Sequence, residues 1–250
     1  MQNMKILGLI LARKGSKGLK NKNLKVINGF SLVELAILAA LESKVITEII
    51  FSTDYKKSEV GNLAARYYVK RPKHLSKDKT LSYDVIEYLL NELKNKNYYP
   101  DYIILVEPPC PFRNGKLIDE VFKLNIRMKS DSMVTCKEVK DAHPIRIKKI
   151  DKNLNLKGYC LEEPAFGLPR QLQNPAYLRD QAVYVLKAKN FENKKFGIYG
   201  KKRHGFLNKN LTVNIDYPLD YELAKTIFKN KTFKILFPNT KPSKFKRTIL

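Results

Sequence analysis

"GLILARKGSKGLKNKN", residues 8–23, sets an apolar run directly against a glycine-punctuated cluster of cations. The run over residues 4–12 is continuous and does not alternate, the pattern of a strand buried on both faces. Such strands belong to parallel sheets, and an open parallel sheet binds its ligands beyond the carboxyl ends of its strands. The loop that follows therefore has a functional position before its composition is considered. Gly15 and Gly18 let the backbone curl with its N–H groups turned inward, Ser16 adds a hydroxyl, and Arg13, Lys14, Lys17, Lys20 and Lys22 add charge. That combination suits a polyphosphate, and equally describes a solvated basic turn. It is neither a Walker A loop nor a GxGxxG fingerprint.

Outward from this stretch the chain alternates. Residues 31–43 predict a helix with Ser31 as N-cap and Glu34 closing a capping box. Strands are predicted at 45–52, 101–107 and 132–137, and helices at 58–68, 80–95 and 114–129. The β-α-β-α-α-β-α-β order predicts an α/β fold: three layers, with a mostly parallel central sheet covered on both faces. At 138–165 the rhythm changes to an alternating ribbon with a turn at Asp151–Asn155, read as an antiparallel projection from the body. Strands return at 182–188 and 211–215, and a last helix at 220–229. Residues 1–229 read as one domain. Residues 230–250, with six Lys or Arg and no acid, read as a basic tail.

With 250 residues the chain can bury a sizeable core, and 44% hydrophobic with 29% charged residues is a globular composition. A net charge of +24 invites an anionic partner, yet a lysine-rich composition alone yields the same figure. The basic residues are spread along the chain, and no RNP-type aromatic pattern or recognition helix appears, so no specific nucleic-acid partner is expected. Three widely spaced cysteines argue against zinc and for a reducing cytoplasm. The apolar run at 6–12 is too short to span a bilayer, so no transmembrane segment is expected.

"LARKGSKGLKNKN" resembles the signature of the acylneuraminate cytidylyltransferase (CMP-sialic acid synthetase) family. Four further pieces match in order: "STD" (52–54), "RPKHLSKDKTLSYDVIEYLL" (71–90), "LVEPPCPFRNGKLID" (105–119) and "LPRQLQNPAYLRDQAVYV" (168–185), before the closing "NIDYPLDYELA" (214–224). The resemblance implies a nucleotidyltransferase fold in which CTP and an acidic nine-carbon keto sugar give a CMP-sugar and pyrophosphate. It implies that Arg13 and Lys17 grip the triphosphate, helped by Ser16, and that Asn23 contacts the nucleotide. Leu11 and Ala12 would face the cytosine through their backbone, and Arg71 and Ser82 would read the base edge and ribose. Asp216 would hold Mg²⁺ and join Arg13 and Lys17 as a catalytic residue. Glu107, Arg170, Gln171, Tyr177, Asp180 and Tyr184 would line the sugar pocket. Ribbon 138–165 would reach a second subunit, making a homodimer with composite sites.

The sequence departs from the family pattern at several points. Asn214 stands where a first metal-site aspartate is expected, and Glu107 where a glutamine is expected. Asp180–Gln181 replaces Asn-Gly, with Arg179 just before it, and Lys14 replaces a small or amide residue. The sugar is accordingly open among nonulosonic acids, with 3-deoxy-octulosonate as a more remote alternative. A catalytically impaired nucleotide-binding scaffold is the other alternative.

Overall fold

The computed structural model describes residues 4–139, 141–192 and 194–230, and Leu250. Residues 231–249 of the expected basic tail lie outside the described residues. The elements run β1 (Ile6–Ala12), β2 and β3 (Val26–Ile27, Phe30–Ser31), α1 (Leu32–Glu42), β4 (Glu48–Thr53), α2 (Asn62–Ala65), β5 (Tyr68–Lys70) and α3 (Ser82–Asn95). They continue β6 (Tyr102–Leu105), α4 (Gly115–Arg127), β7 (Ser132–Glu138), β8 and β9 (Lys148–Ile150, Leu156–Gly158), β10 (Tyr177–Lys187), β11 (Arg203–Leu207) and α5 (Pro218–Lys229).

β1 is buried on both faces, as its unbroken apolar run requires. Ile6, Ile10 and Ala12 pack in one layer with Val33, Ala36 and Ile37 of α1 and Ile118, Val121 and Phe122 of α4. Leu7 and Leu9 pack in the opposite layer with Val85, Ile86, Leu89 and Leu93 of α3. The seven strands stand in the order β11-β7-β10-β6-β1-β4-β5. β1 runs parallel to β4 and β6, and β5 parallel to β4. β10 alone is inverted, antiparallel to both β6 and β7. The result is a three-layer, mostly parallel sheet whose strands β1, β4 and β6 all end on one edge.

The capping box of α1 is present: Glu34 N donates to Ser31 Oγ at 3.2 Å and Ser31 N to Glu34 Oε2 at 3.0 Å. Caps of this kind contribute about 1 kcal/mol. The predicted turn at Asp151 also forms, its carboxylate accepting from Asn153 N at 2.9 Å and Asn155 N at 3.0 Å, between the antiparallel strands β8 and β9.

Two expectations are corrected, and one strand is added. Only 62–65 of the helix expected over 58–68 is α-helical, because Tyr68 leaves to pair with Phe51 in β5 and its hydroxyl donates to Tyr55 O at 2.8 Å. β11 was not expected; the polar run Arg203–Leu207 is a sheet edge, parallel to β7. The strand expected at 211–215 is irregular backbone instead. Ile215 N donates to Pro109 O at 2.9 Å, and its side chain fills a third apolar cluster with Leu19, Leu32 and Phe112. That cluster seats α5 against α1 and the loop behind β1. Among the described residues, no helix is long and apolar enough to cross a membrane.

Candidate active site

The loop after β1 is shaped by its two glycines. Gly15 has φ +85°, a conformation glycine adopts freely. A Cβ on Gly18 would lie 2.5 Å from Asp216 O, so the loop approaches the start of α5 more closely than any side chain permits. Asn23 Nδ2 donates to Arg13 O at 3.1 Å and ties the two ends of the loop. Lys22 Nζ pairs with Asp216 at 2.8 Å, joining the loop to the far wall. Asp220 Oδ2 accepts from Asp216 N at 2.9 Å and Tyr217 N at 2.8 Å, which fixes the direction of that wall.

Between them lies a cavity of about 510 Å³ at the ends of the parallel strands, lined by Leu11, Arg13, Ser16, Lys17, Gly18, Lys22, Asn23, Glu107, Pro109, Gln181, Asp216 and Tyr217. Three cations line it against two carboxylates. Outside it, Asp78 pairs with both Arg13 and Lys17, the latter at 2.6 Å. The Lys17 and Arg13 hydrogen bonds hold the Asp78 carboxyl below its ordinary range. Lys14 turns away, with Nζ on Glu59 at 2.5 Å.

A second cavity of about 670 Å³ adjoins the first, bounded by Leu81, Ser82, Tyr83, Leu105, Arg179, Tyr184, Lys194 and Tyr199 among others. Glu107 and Gln181 line both cavities. Burial pushes the Glu107 carboxyl up, while Arg113, Lys22 and Arg179 pull it down and Asp216 pushes it further up. Arg179 donates to Tyr199 Oη and lies 5.6 Å from the centre of its ring.

Leu11, Arg13, Ser16, Lys17, Asn23, Glu107 and Asp216 thus gather at the first cavity, and Ser82, Glu107 and Tyr184 at the second. Ala12 is buried in the core instead of lining the wall. Arg71 is buried and lines neither cavity: Nη2 donates to Ser52 O at 2.9 Å, Nε has no partner, and burial lowers its pKa to about 10. Asp180, expected at the sugar, is wholly buried, accepting from Thr135 Oγ1 at 2.5 Å, Ala182 N at 3.0 Å and Asn208 Nδ2 at 2.6 Å. The cause is a register irregularity of β10 between Arg179 and Tyr184, where Gln181 takes φ +61° and projects in place of Asp180. Arg170, Gln171 and Tyr177 line neither cavity. Arg170 pairs with Asp141 at 2.9 Å, and Tyr177 opens β10 opposite Glu138. Sequence reasoning assigned no site role to Gln181, Lys194 or Tyr199. Only Gln181, standing in a motif position, carried a signal.

Magnesium takes oxygen ligands, with one or two carboxylates supplemented by substrate oxygens. Asp216 offers a carboxylate at the cavity wall, and two residues earlier Asn214 Oδ1 is a buried acceptor with no hydrogen-bond partner. No group of three or more His, Cys, Asp or Glu that could hold a metal occurs among the described residues. The donor set fits a cation that leans on phosphate oxygens and does not fit an all-protein cage.

A mostly parallel three-layer sheet with a cationic glycine loop behind its first strand is a nucleotidyltransferase architecture. The family model described as Cytidylyltransferase matches residues 7–241, and the chain belongs to that family of enzymes. It is 30% identical over 239 residues to the CMP-N,N'-diacetyllegionaminic acid synthase of Legionella pneumophila, covering 90% of this chain and 96% of that one. It is 28% identical to the N-acylneuraminate cytidylyltransferase of Escherichia coli, covering 91% of this chain and 53% of the longer relative. Among solved structures, a CMP:2-keto-3-deoxy-manno-octonic acid synthetase complexed with CTP shares the fold with a TM-score of 0.64, at 14% identity over 89% of this chain and 98% of that one.

Proposed function

We propose that the chain transfers CMP from CTP to the anomeric hydroxyl of an acidic nine-carbon keto sugar and releases pyrophosphate. The observation that carries this reading is the pair of adjoining cavities, one walled by Arg13, Lys17 and Lys22, the other by Arg179 and three tyrosines, Tyr83, Tyr184 and Tyr199. The first suits a triphosphate, whose charge the three cations offset. The second suits a carboxylated sugar: Arg179 offers a planar fork for the carboxylate, and Tyr184 and Tyr199 offer ring faces and hydroxyls. Both relatives bear names of acidic nine-carbon sugars, which supports the same class here.

Phosphoryl transfer asks mainly for positioning and charge. Arg13 and Lys17 hold the phosphate oxygens, Ser16 and loop amides donate to them, and Leu11 and Asn23 bound the nucleotide. Asp216, with Asn214 Oδ1 as a neutral neighbour, would hold Mg²⁺, which when bound supplies a Lewis acid at the phosphate oxygens. Calorimetry should show CTP binding, and pyrophosphate release should require an acidic nine-carbon sugar. No heat with CTP in the presence of magnesium, or no release with any such sugar, would sink the reading.

The hairpin β8–β9 supports a homodimer. Ile150, Leu154, Leu156 and Tyr159 are all exposed on or beside it, an apolar surface that calls for cover. Arg170, Gln171 and Tyr177 then serve the partner's sugar pocket and not their own. Sedimentation at micromolar concentration should give a dimer; a monomer would remove this assignment. The three cysteines are free, which supports a reducing cytoplasm.

A further inference from the structure

We propose that Glu107 is the general base that takes the proton from the attacking hydroxyl of the sugar, an inference that rests on the CMP-transfer reading. The attacking oxygen must come within about 3–3.5 Å of the α-phosphorus. It must therefore lie where the nucleotide and sugar cavities join. Two side chains, Glu107 and Gln181, line both cavities, and of these only the carboxylate can accept a proton. No histidine lines either cavity. The other two lining carboxylates are engaged: Asp216 pairs with Lys22, and Asp84 accepts from Leu81 N at 3.4 Å. The Glu107 carboxyl is influenced by burial and by the charges of Arg113, Lys22, Arg179 and Asp216, with no side-chain hydrogen bond among those influences.

Its backbone is held in place. Glu107 leaves the end of β6 into Pro108 and Pro109, where proline fixes the dihedrals, and Pro109 O accepts from Ile215 N at 2.9 Å. Burial raises its proton affinity against the pull of Arg113, Lys22 and Arg179, while Asp216 raises it further. Arg13 and Lys17 face it across the first cavity, and Asp84, Lys194, Tyr184 and Tyr199 across the second. A bound triphosphate adds negative charge and raises the affinity again. A base whose pKa approaches working pH is the more effective one.

The step balances. The hydroxyl oxygen forms a bond to the α-phosphorus, and the bond from that phosphorus to the bridging oxygen breaks. The electron pair departs with pyrophosphate. The hydroxyl proton passes to Glu107 and then to solvent.

The test compares the unaltered chain, Glu107→Gln and Glu107→Asp with CTP, magnesium and either N-acetylneuraminic or N,N'-diacetyllegionaminic acid. Glu107→Gln should lose about 10²–10⁴-fold in kcat at saturating sugar. The acid limb of its pH–rate profile should vanish, and CTP affinity by calorimetry should stay within about threefold. Glu107→Asp should restore part of the rate and keep the acid limb. A Glu107→Gln enzyme within about threefold of the unaltered kcat, or one slowed but with its acid limb intact, overturns the base. So does a flat profile for Glu107→Asp. No turnover by the unaltered chain overturns the transfer reading and the base with it, whereas turnover with an equally active glutamine variant overturns the base alone.

Discussion

Lys17→Ala is expected to lower sugar-dependent pyrophosphate release by about 10³-fold or more, equivalent to about 4 kcal/mol. It should also weaken CTP and leave the melting temperature nearly unchanged. The asymmetry follows from the surroundings of the side chain. Lys17 is 78% exposed, and its ion pair is with Asp78, itself 46% exposed. Solvated pairs of that kind contribute about 0–1 kcal/mol to stability. Asp78 also keeps its second cation, Arg13, when the lysine is removed. The triphosphate has no such reserve. Asp78 draws the tips of Arg13 and Lys17 to a single carboxylate, so both charges converge where a more highly charged anion can take them over. Removing one leaves the transferred phosphorus with half of that pair as charge builds in the transition state. Steady-state rates at saturating CTP, set beside thermal melts, make the check. A variant within about threefold of the unaltered kcat would remove Lys17 from the mechanism.

The site was legible in the sequence wherever a role depends on local chain. β1, its basic loop and the capping box of α1 are each written in a few consecutive residues, and all three form as read. Arg13, Ser16, Lys17 and Asn23 meet because one loop carries them. Asp216 joins them because Gly18 lets the loop touch its backbone. The sugar half was less legible because it depends on register. A single irregularity in β10 buries Asp180 and turns Gln181 outward, and period-two alternation cannot reveal where an alternation slips. Arg170 and Tyr177 fall beyond that slip, beside the ribbon, so nearness in sequence to Tyr184 does not bring them to its pocket. β11 escaped because an edge strand with one covered face keeps polar residues, as Arg203 and His204 show. Residues 211–215 misled for the opposite reason: an apolar stretch serves to fill a cluster under α5 and not to extend the sheet.

Asp216→Ala is expected to reduce magnesium-stimulated turnover by about 10²–10³-fold without unfolding the chain. Its carboxylate is solvent-facing, and the bond that orders this turn runs from the Asp216 backbone N–H to Asp220, which alanine keeps. The loss is not simply one of negative charge. Lys22 gives up its partner in the variant and turns free toward the phosphates. Metal-free CTP should therefore bind at least as tightly as before, while the increment gained on adding magnesium falls away. Titrating magnesium chloride against the rate, with CTP calorimetry in a chelator, separates the two effects. An unchanged magnesium dependence would place the cation elsewhere. The predicted size follows from Asn214: with a neutral acceptor there, and Asp220 taken up by the backbone N–H groups of Asp216 and Tyr217, Asp216 is the carboxylate that this turn presents to the cavity. Where two carboxylates share a cation, losing one still leaves an anchor. Here the alanine leaves only the Asn214 amide oxygen and the triphosphate itself.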